Sequence, residues 1–371
     1  MSGNRINVTR SSMPGFEEYA EELRPVWDSR WLSNRGDASK KFERMLKEYL
    51  DVEHVYCFAN GHLALEVAIG GLFLPKGGEV ITTPYTHVST THSIVRNGLI
   101  PVFVDIEPDT FTVDPTLVEK AINERTAAIV ATHVYGFPCD VEKLETIARA
   151  HNLYVIYDAA HAFGVTYKGK GIGNFGDMAM FSTHATKVFH TIEGGLVTYK
   201  EKDNKKLSAM RKMVNFGFTS AENIDYIGTN ARMNEFEAVM GICNLRHIDE
   251  EISRRKTAGE RYWERLEGTK GIVLPKPNAD TVWNYAYFPV LFDGYKSDRN
   301  QVQEKLAKEN IFARKYFFPL TNEAACYAKE YGNVNAPIAK HVADTVLTLP
   351  MYADLTVAEV DRICDVILEE F

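Results

Sequence analysis

LYVIYDAAHAFG (153–164) reads as a strand that ends on a carboxylate, and that reading decides the fold. Leu153 to Tyr157 are apolar or aromatic without polar alternation, as strands covered on both faces are. Asp158 then stands at the C-terminal end of the strand, the edge at which open α/β sheets gather their ligands. A carboxylate there is costly to bury unless a cation or a hydrogen-bond donor meets it. Two roles stay open for it, a ligand-binding acid and a helix N-cap. His161, three residues on, reads as an ordinary core or capping histidine.

Similar runs lie on both sides. VYCFA (55–59), EVITTP (79–84), PVFVDI (101–106), AIVATHVYG (128–136), DMAMFST (177–183) and GLVTY (195–199) are strand candidates. Helical patterns separate them: Leu65, Ala68, Ile69 and Leu72 share one face of 61–74, and VEKLETIARAHN fills 141–152. Strands that alternate with helices predict an α/β fold with a mostly parallel sheet covered on both faces. DMAMFST and GLVTY follow each other closely and read as an antiparallel pair.

Beyond residue 200 long helices take over. The stretch 234–266 has helical spacing and many charges, and it reads as a bridge between two domains. WNYAYFPVLF (283–292) is a strand candidate, followed by a helix through 298–310. Thr356 and Glu359 have capping-box spacing ahead of a final helix whose apolar stripe is Val360, Ile363, Ile367 and Leu368. The expected division is an N-terminal arm with a large domain over 1–250 and a smaller C-terminal α/β domain over 251–371.

Composition limits the partners. The net charge of −8 comes without any basic block, which argues against nucleic acid or an anionic membrane as a main partner. No apolar run reaches the length of a membrane span, and the N-terminal stretch lacks a signal-peptide core, so a cytoplasmic protein is expected. Its five cysteines are scattered, odd in number and without a C-x-x-C pair, as reduced thiols would be. His184 and His190, like His87 and His92, miss the spacing that puts two metal ligands on one helix face.

Gly171, Gly173 and Gly176 spell G-x-G-x-x-G, but they precede a strand, whereas a dinucleotide fingerprint leaves a strand and opens a helix. They read as a plain turn. Gly61, in FANGHLALEVAI, has the right context: it follows a strand and opens a helix, where free N–H groups and the helix dipole favour an anion. Lys187 lies 29 residues after Asp158, beyond the next strand and ahead of the Gly194–Gly195 pair, with no acidic residue three or four places away on its N-terminal side. An anion-binding helix start, an acid at one strand end and a lysine beyond another are the parts that pyridoxal phosphate requires. The lysine forms a Schiff base, the acid keeps the ring nitrogen protonated, and the helix start holds the phosphate.

NGHLAL, TPYTHVSTTHSI, PVFVDIEPDTFTVDP, VYGFPCDVEKL, VIYDAAHAFG, FSTHATKVFHTIEGG and GTNARMNEFEAVMG together resemble the pyridoxal-phosphate sugar aminotransferases of the DegT/DnrJ/EryC1/StrS group, from about residue 14 to the C-terminus. The resemblance implies the fold of the aspartate aminotransferase superfamily and a homodimer with shared active sites. It makes Lys187 the Schiff-base lysine, Asp158 the partner of the pyridine nitrogen and His161 a neighbour of the ring hydroxyl. Gly61, His62 and Ser182 become phosphate contacts, and Asn230 reaches the phosphate of the neighbouring subunit. His87 falls where the family stacks an aromatic ring. His62 departs from the family's Thr or Ser, and His190 stands where close relatives often carry Asn.

The implied reaction is a two-stage amino transfer from L-glutamate to a keto-sugar carried on a nucleotide. FSTHATKVFHTIEGG looks most like members that aminate C-4 of a dTDP-linked 4-keto-6-deoxyhexose, with C-3 amination as the alternative. Arg35, Arg314 and Lys315 are the cations implied near the pyrophosphate. The intact Lys187 argues against a lysine-independent sugar dehydratase on the same fold. The Lys187–Asp158 pair and the absence of a DNA-binding motif argue against a non-enzymatic sensor.

Overall fold

The computed structural model describes residues 5–200 and 204–369. Seven strands form one sheet in the spatial order His54–Phe58, Gly195–Tyr199, Met178–Ser182, Tyr154–Asp158, Thr126–Thr132, Glu79–Thr82, Ile100–Phe103. All seven runs expected as strands are there. Only Gly195–Tyr199 runs against its neighbours, pairing antiparallel with both Met178–Ser182 and His54–Phe58. The other pairs are parallel. Helices cover both faces, as the uninterrupted apolar strands require. On one face Leu65, Ala68 and Ile69 of helix Gly61–Gly70 pack with Val130, Ile156 and Val197; on the other, Leu144 of helix Val141–His151 packs with Ile129 and Tyr157.

Several elements stop earlier than their apolar runs. The run 128–136 leaves the sheet after Thr132, where the backbone N–H of His133 still bonds to the Asp158 carbonyl at 3.0 Å before the chain turns through Val134–Gly136. Helix Gly61–Gly70 ends at the Gly70–Gly71 pair. The glycines of the G-x-G-x-x-G string lie in a turn region, with Gly171 closing a two-residue strand and Gly176 at a φ of 70°.

Helix Glu235–Leu266 has 32 residues and begins with a capping box between Asn234 and Glu237. Its Glu235 side chain, 1% exposed, accepts the backbone N–H groups of Gly36, Ala38 and Ser39, and so caps helix Asp37–Leu50. Beyond it, strands Ile272–Val273, Phe288–Phe292 and Val346–Leu349 form an antiparallel sheet with Phe288–Phe292 in the middle. Helix Val357–Leu368 carries the expected Thr356–Glu359 capping box, and Val360, Ile363 and Ile367 are buried. Arg261 and Arg265 of the long helix clamp Asp361 at 2.7 and 2.9 Å.

The N-terminal arm spans both parts. Ile6 exchanges backbone hydrogen bonds with the strand-like stretch at Asn310–Phe312, and the Met351 N–H donates to the Val8 carbonyl. The Ser11 hydroxyl then donates to the Ala185 carbonyl at 2.6 Å, and His190 bonds to the Ser12 carbonyl at 2.5 Å. Lys187 sits between those two anchor points.

Candidate active site

Asp158 closes its strand and is 3% exposed. Among the described residues it forms no ion pair. Its Oδ2 accepts the Thr90 hydroxyl at 2.7 Å and its Oδ1 the Ala160 N–H at 3.1 Å. Thr90, on helix Val88–Arg96, is itself linked through Thr86 to Thr132, so three hydroxyls brace the acid. Hydrogen bonds to the ionised form are what make a buried carboxylate tolerable. Thr90 was invisible in the sequence among the other hydroxyls of TPYTHVSTTHSI.

Lys187 follows strand Met178–Ser182, in a turn closed by its own N–H on the His184 carbonyl at 2.9 Å. Its side chain is half-buried and forms no ion pair among the described residues. Nζ donates to the Tyr287 hydroxyl at 3.4 Å. Desolvation lowers the amine's pKa below the usual lysine range; Tyr316 and Asp158 oppose that shift, and Arg314 adds to it. A lysine so treated is part-way to the neutral nucleophile.

The glycine pair after Lys187 has a steric reason. A Cβ on Gly195 would stand 2.7 Å from the Asn60 carbonyl and from the Gly61 Cα, so only glycine lets this strand start against the helix start. Gly61 in turn abuts Ser182. The Asn60 side chain takes the Leu63 N–H at 2.8 Å and its carbonyl takes that of Ala64, which leaves the N–H groups of Gly61 and His62 at the open helix end. His62 turns its ring away: Nδ1 meets the Ser89 hydroxyl at 2.8 Å and Nε2 lies 3.4 Å from Glu66. Its backbone N–H, not its imidazole, stands at the open helix end.

Two further histidines face the cleft. His161 accepts the Tyr135 N–H at Nδ1, 3.1 Å away, so its proton resides on Nε2. Burial drives its pKa well below the usual value, and it is neutral. His87 caps helix Val88–Arg96 through Nδ1 and the Ser89 N–H at 3.2 Å, with its ring exposed toward the cleft. Desolvation lowers its pKa, while the charge of Asp158 works the other way.

Asn230 is exposed and bonds to none of these residues. Its side-chain oxygen accepts from Arg232 at 2.8 and 3.1 Å, which turns the amide hydrogens outward. Arg35 is taken up by the buried Glu43 at 2.6 Å. Arg314 has no carboxylate partner among the described residues; its guanidinium lies 4.5 Å from the Tyr316 ring, near Lys187 and His87. Tyr287 was missed, since nothing in WNYAYFPVLF singles out one aromatic residue of a strand-like run.

Comparison with known proteins gives this geometry a family. Residues 15–368 match the model of the DegT/DnrJ/EryC1/StrS aminotransferase family. The chain is 39% identical to a dTDP-4-amino-4,6-dideoxy-D-glucose transaminase of Escherichia coli, over 99% of both chains. It superposes with a TM-score of 0.92 on the crystal structure of DesI in the presence of its TDP-sugar product, at 32% identity over 99% of this chain and 93% of that one. The same score holds against PseC of Helicobacter pylori, an aminotransferase involved in the biosynthesis of pseudoaminic acid, at 25% identity over 99% of both chains. With its mixed sheet, its lysine beyond one strand and its acid at the end of the next, the chain belongs to the DegT/DnrJ/EryC1/StrS family of sugar aminotransferases.

Proposed function

We propose that the chain uses pyridoxal 5'-phosphate to move the amino group of L-glutamate to C-4 of dTDP-4-keto-6-deoxy-D-glucose, giving the 4-amino-4,6-dideoxy sugar. The observation that carries the reading is Lys187, a desolvated amine without an ion pair in a cleft that also holds the buried Asp158. The likeness to the E. coli transaminase supports the choice of sugar.

The residues fit the cofactor. A Cβ at Gly61 would stand 2.9 Å from the Ser182 Cβ, so glycine lets the helix start lie directly against the Ser182 strand end. The Gly61 and His62 N–H groups and the Ser182 hydroxyl are donors for a phosphate. Asp158 suits a protonated ring nitrogen, the Nε2–H of His161 suits the ring hydroxyl, and His87 supplies a flat cover. When bound, pyridoxal phosphate supplies an aldehyde for amines and a ring that withdraws electrons. Lys187 would then carry the proton between the substrate carbon and the cofactor carbon, as a neutral amine can. In this reading Asn230 serves the phosphate of a second copy, so that the working enzyme is a homodimer with shared sites. Arg314 and Lys315 meet the sugar's pyrophosphate, and Arg35, held by Glu43, stays with its partner. Residues 1–250 form the arm and cofactor domain, and 251–371 the smaller domain.

The test offers dTDP-4-keto-6-deoxy-D-glucose and its 3-keto isomer separately, with glutamate, and assigns the new C–N bond by NMR. Amination at C-4 of the first is expected. Amination of only the 3-keto isomer, or only of a GDP- or UDP-linked sugar, overturns the substrate. Purified protein should also be yellow and bleach with glutamate; a colourless protein that takes up no added cofactor overturns the cofactor.

A further inference from the structure

We propose that Tyr287 is a positioning residue for the reactive lysine: its phenol fixes the Lys187 amine and shares the hydrogen bond that steadies the amine's proton. The inference rests on the reading of Lys187 given above. Nζ of Lys187 lies 3.4 Å from the Tyr287 hydroxyl, the one hydrogen bond it makes among the described residues. A small cavity that Lys187 and Tyr287 line together with His161, Val188, Asn284 and Ala286 has no room for a water molecule. On that side the phenol is therefore the amine's polar contact.

Tyr287 is itself held firmly. It is 3% exposed, with its ring centroid 4.6 Å from that of His161 and 5.4 Å from that of Tyr316. It directly precedes strand Phe288–Phe292 and so reaches the lysine from the C-terminal part of the chain.

Both protonation states of the lysine can use the contact. The ammonium donates to the phenol oxygen; the neutral amine accepts the phenol O–H. Burial pushes the phenol up to about 12, with Arg255 and Arg314 pulling it down, so Tyr287 keeps its own proton. No covalent bond forms at Tyr287: Nζ would take the proton from the substrate carbon and pass it on to the cofactor carbon. The other groups facing Nζ are Asp158 and Tyr316, which favour the ammonium, Arg314, which disfavours it, and His87 and His161, whose pKa values burial lowers. None of them bonds to Nζ. Removing the phenol oxygen deletes a charge-assisted hydrogen bond and leaves desolvation less opposed.

The experiment uses cofactor-free protein and follows acetylation of Lys187 by acetic anhydride against pH, with peptide mass spectrometry. Tyr287→Phe should lower the midpoint of reactivity by about 0.5–1 pH unit. Turnover of the loaded enzyme should fall roughly tenfold or more, with its pH profile displaced the same way. Tyr85→Phe is the control, because it removes a buried hydroxyl that bonds to Tyr135 at 2.6 Å and to the Tyr316 carbonyl at 3.0 Å without touching Lys187. Its midpoint should stay in place. Tyr287→Met, which also lacks the hydroxyl, serves if the phenylalanine variant does not fold. An unmoved midpoint in a folded variant overturns the proposal, whatever happens to turnover. Failure of borohydride to fix a pyridoxyl group on wild-type Lys187 overturns the cofactor assignment instead, because the midpoints are measured without cofactor.

Discussion

Gly61 and Ser182 face each other so closely that a Cβ on the glycine would stand 2.9 Å from the serine Cβ. A helix start is thereby pressed against a strand end. An added methyl group has no room unless the helix moves, and forced overpacking of this kind costs about 1–3 kcal/mol. Gly61→Ala should weaken pyridoxal phosphate binding by roughly tenfold or more, read from the cofactor's absorbance on titration. Ser182→Ala, which removes one donor and adds no bulk, should weaken it less. Equal affinities for wild type and Gly61→Ala would show that no phosphate uses this corner.

Asp158→Asn should leave the cofactor bound and lose most turnover, because an amide cannot stabilise a pyridinium proton. Breaking a buried pair of this kind costs about 3–5 kcal/mol. Thr90→Val, which removes the 2.7 Å bond to Oδ2, should lower turnover in the same direction by a smaller factor. Single-turnover rates of the two variants check both statements, and a folded Asp158→Asn protein with normal rates would refute the role.

The outward amide of Asn230 makes a statement about assembly. Inactive Lys187→Ala and inactive Asn230→Ala proteins, mixed and allowed to exchange subunits, should regain activity, because each mixed dimer has one site with both residues native. Fluorescence transfer between labelled subunits confirms exchange. With exchange shown and activity absent, Asn230 serves its own subunit.

Burial of His133 should make the fold sensitive to acid. His133 is fully buried, its Nδ1 accepts the Cys139 N–H at 3.0 Å, and burial lowers its pKa to about 3. The folded-state value lies below the ordinary one of about 6.5, so the unfolded chain takes a proton that the folded chain refuses. The stability this represents is present above the unfolded value and is lost as pH falls through the window from about 6.5 to 3. At pH 4.5 the loss from this one group is about 3 kcal/mol. His133→Asn, which keeps an acceptor for Cys139, should show a shallower fall in thermal midpoint between pH 6.5 and 4.5. An identical slope would place the acid sensitivity elsewhere.

Much of this was legible beforehand, and the reasons are physical. Strands buried on both faces write long apolar runs, and helix starts write capping residues, so the sheet, the Thr356–Glu359 box and the Gly61 helix start could be found locally. Asp158 and Lys187 were legible because a parallel sheet sends successive strand ends to one edge. Thr90, Tyr287 and Arg232 were not. Their partners lie 68, 100 and 2 residues away, and even the short separation hides a role set by Asn34 and Asn215 as well. The paired two-residue strands Thr166–Tyr167, Lys170–Gly171 and Thr281–Val282 are too short to carry a period. The ion pair of Arg35 with Glu43, on the inner face of the next helix, joins residues eight apart in a stretch whose sequence shows no pairing pattern.

Through Ser11 on Ala185 and Ser12 on His190, the stretch from Ile6 to Ser12 helps to hold the loop that presents the lysine. A protease that trims past Ser12 removes the bonds to the same short loop that presents the lysine. Purification handles therefore belong at the far end of the chain, and a preparation clipped near Ser12 should keep its fold yet release cofactor faster than intact protein.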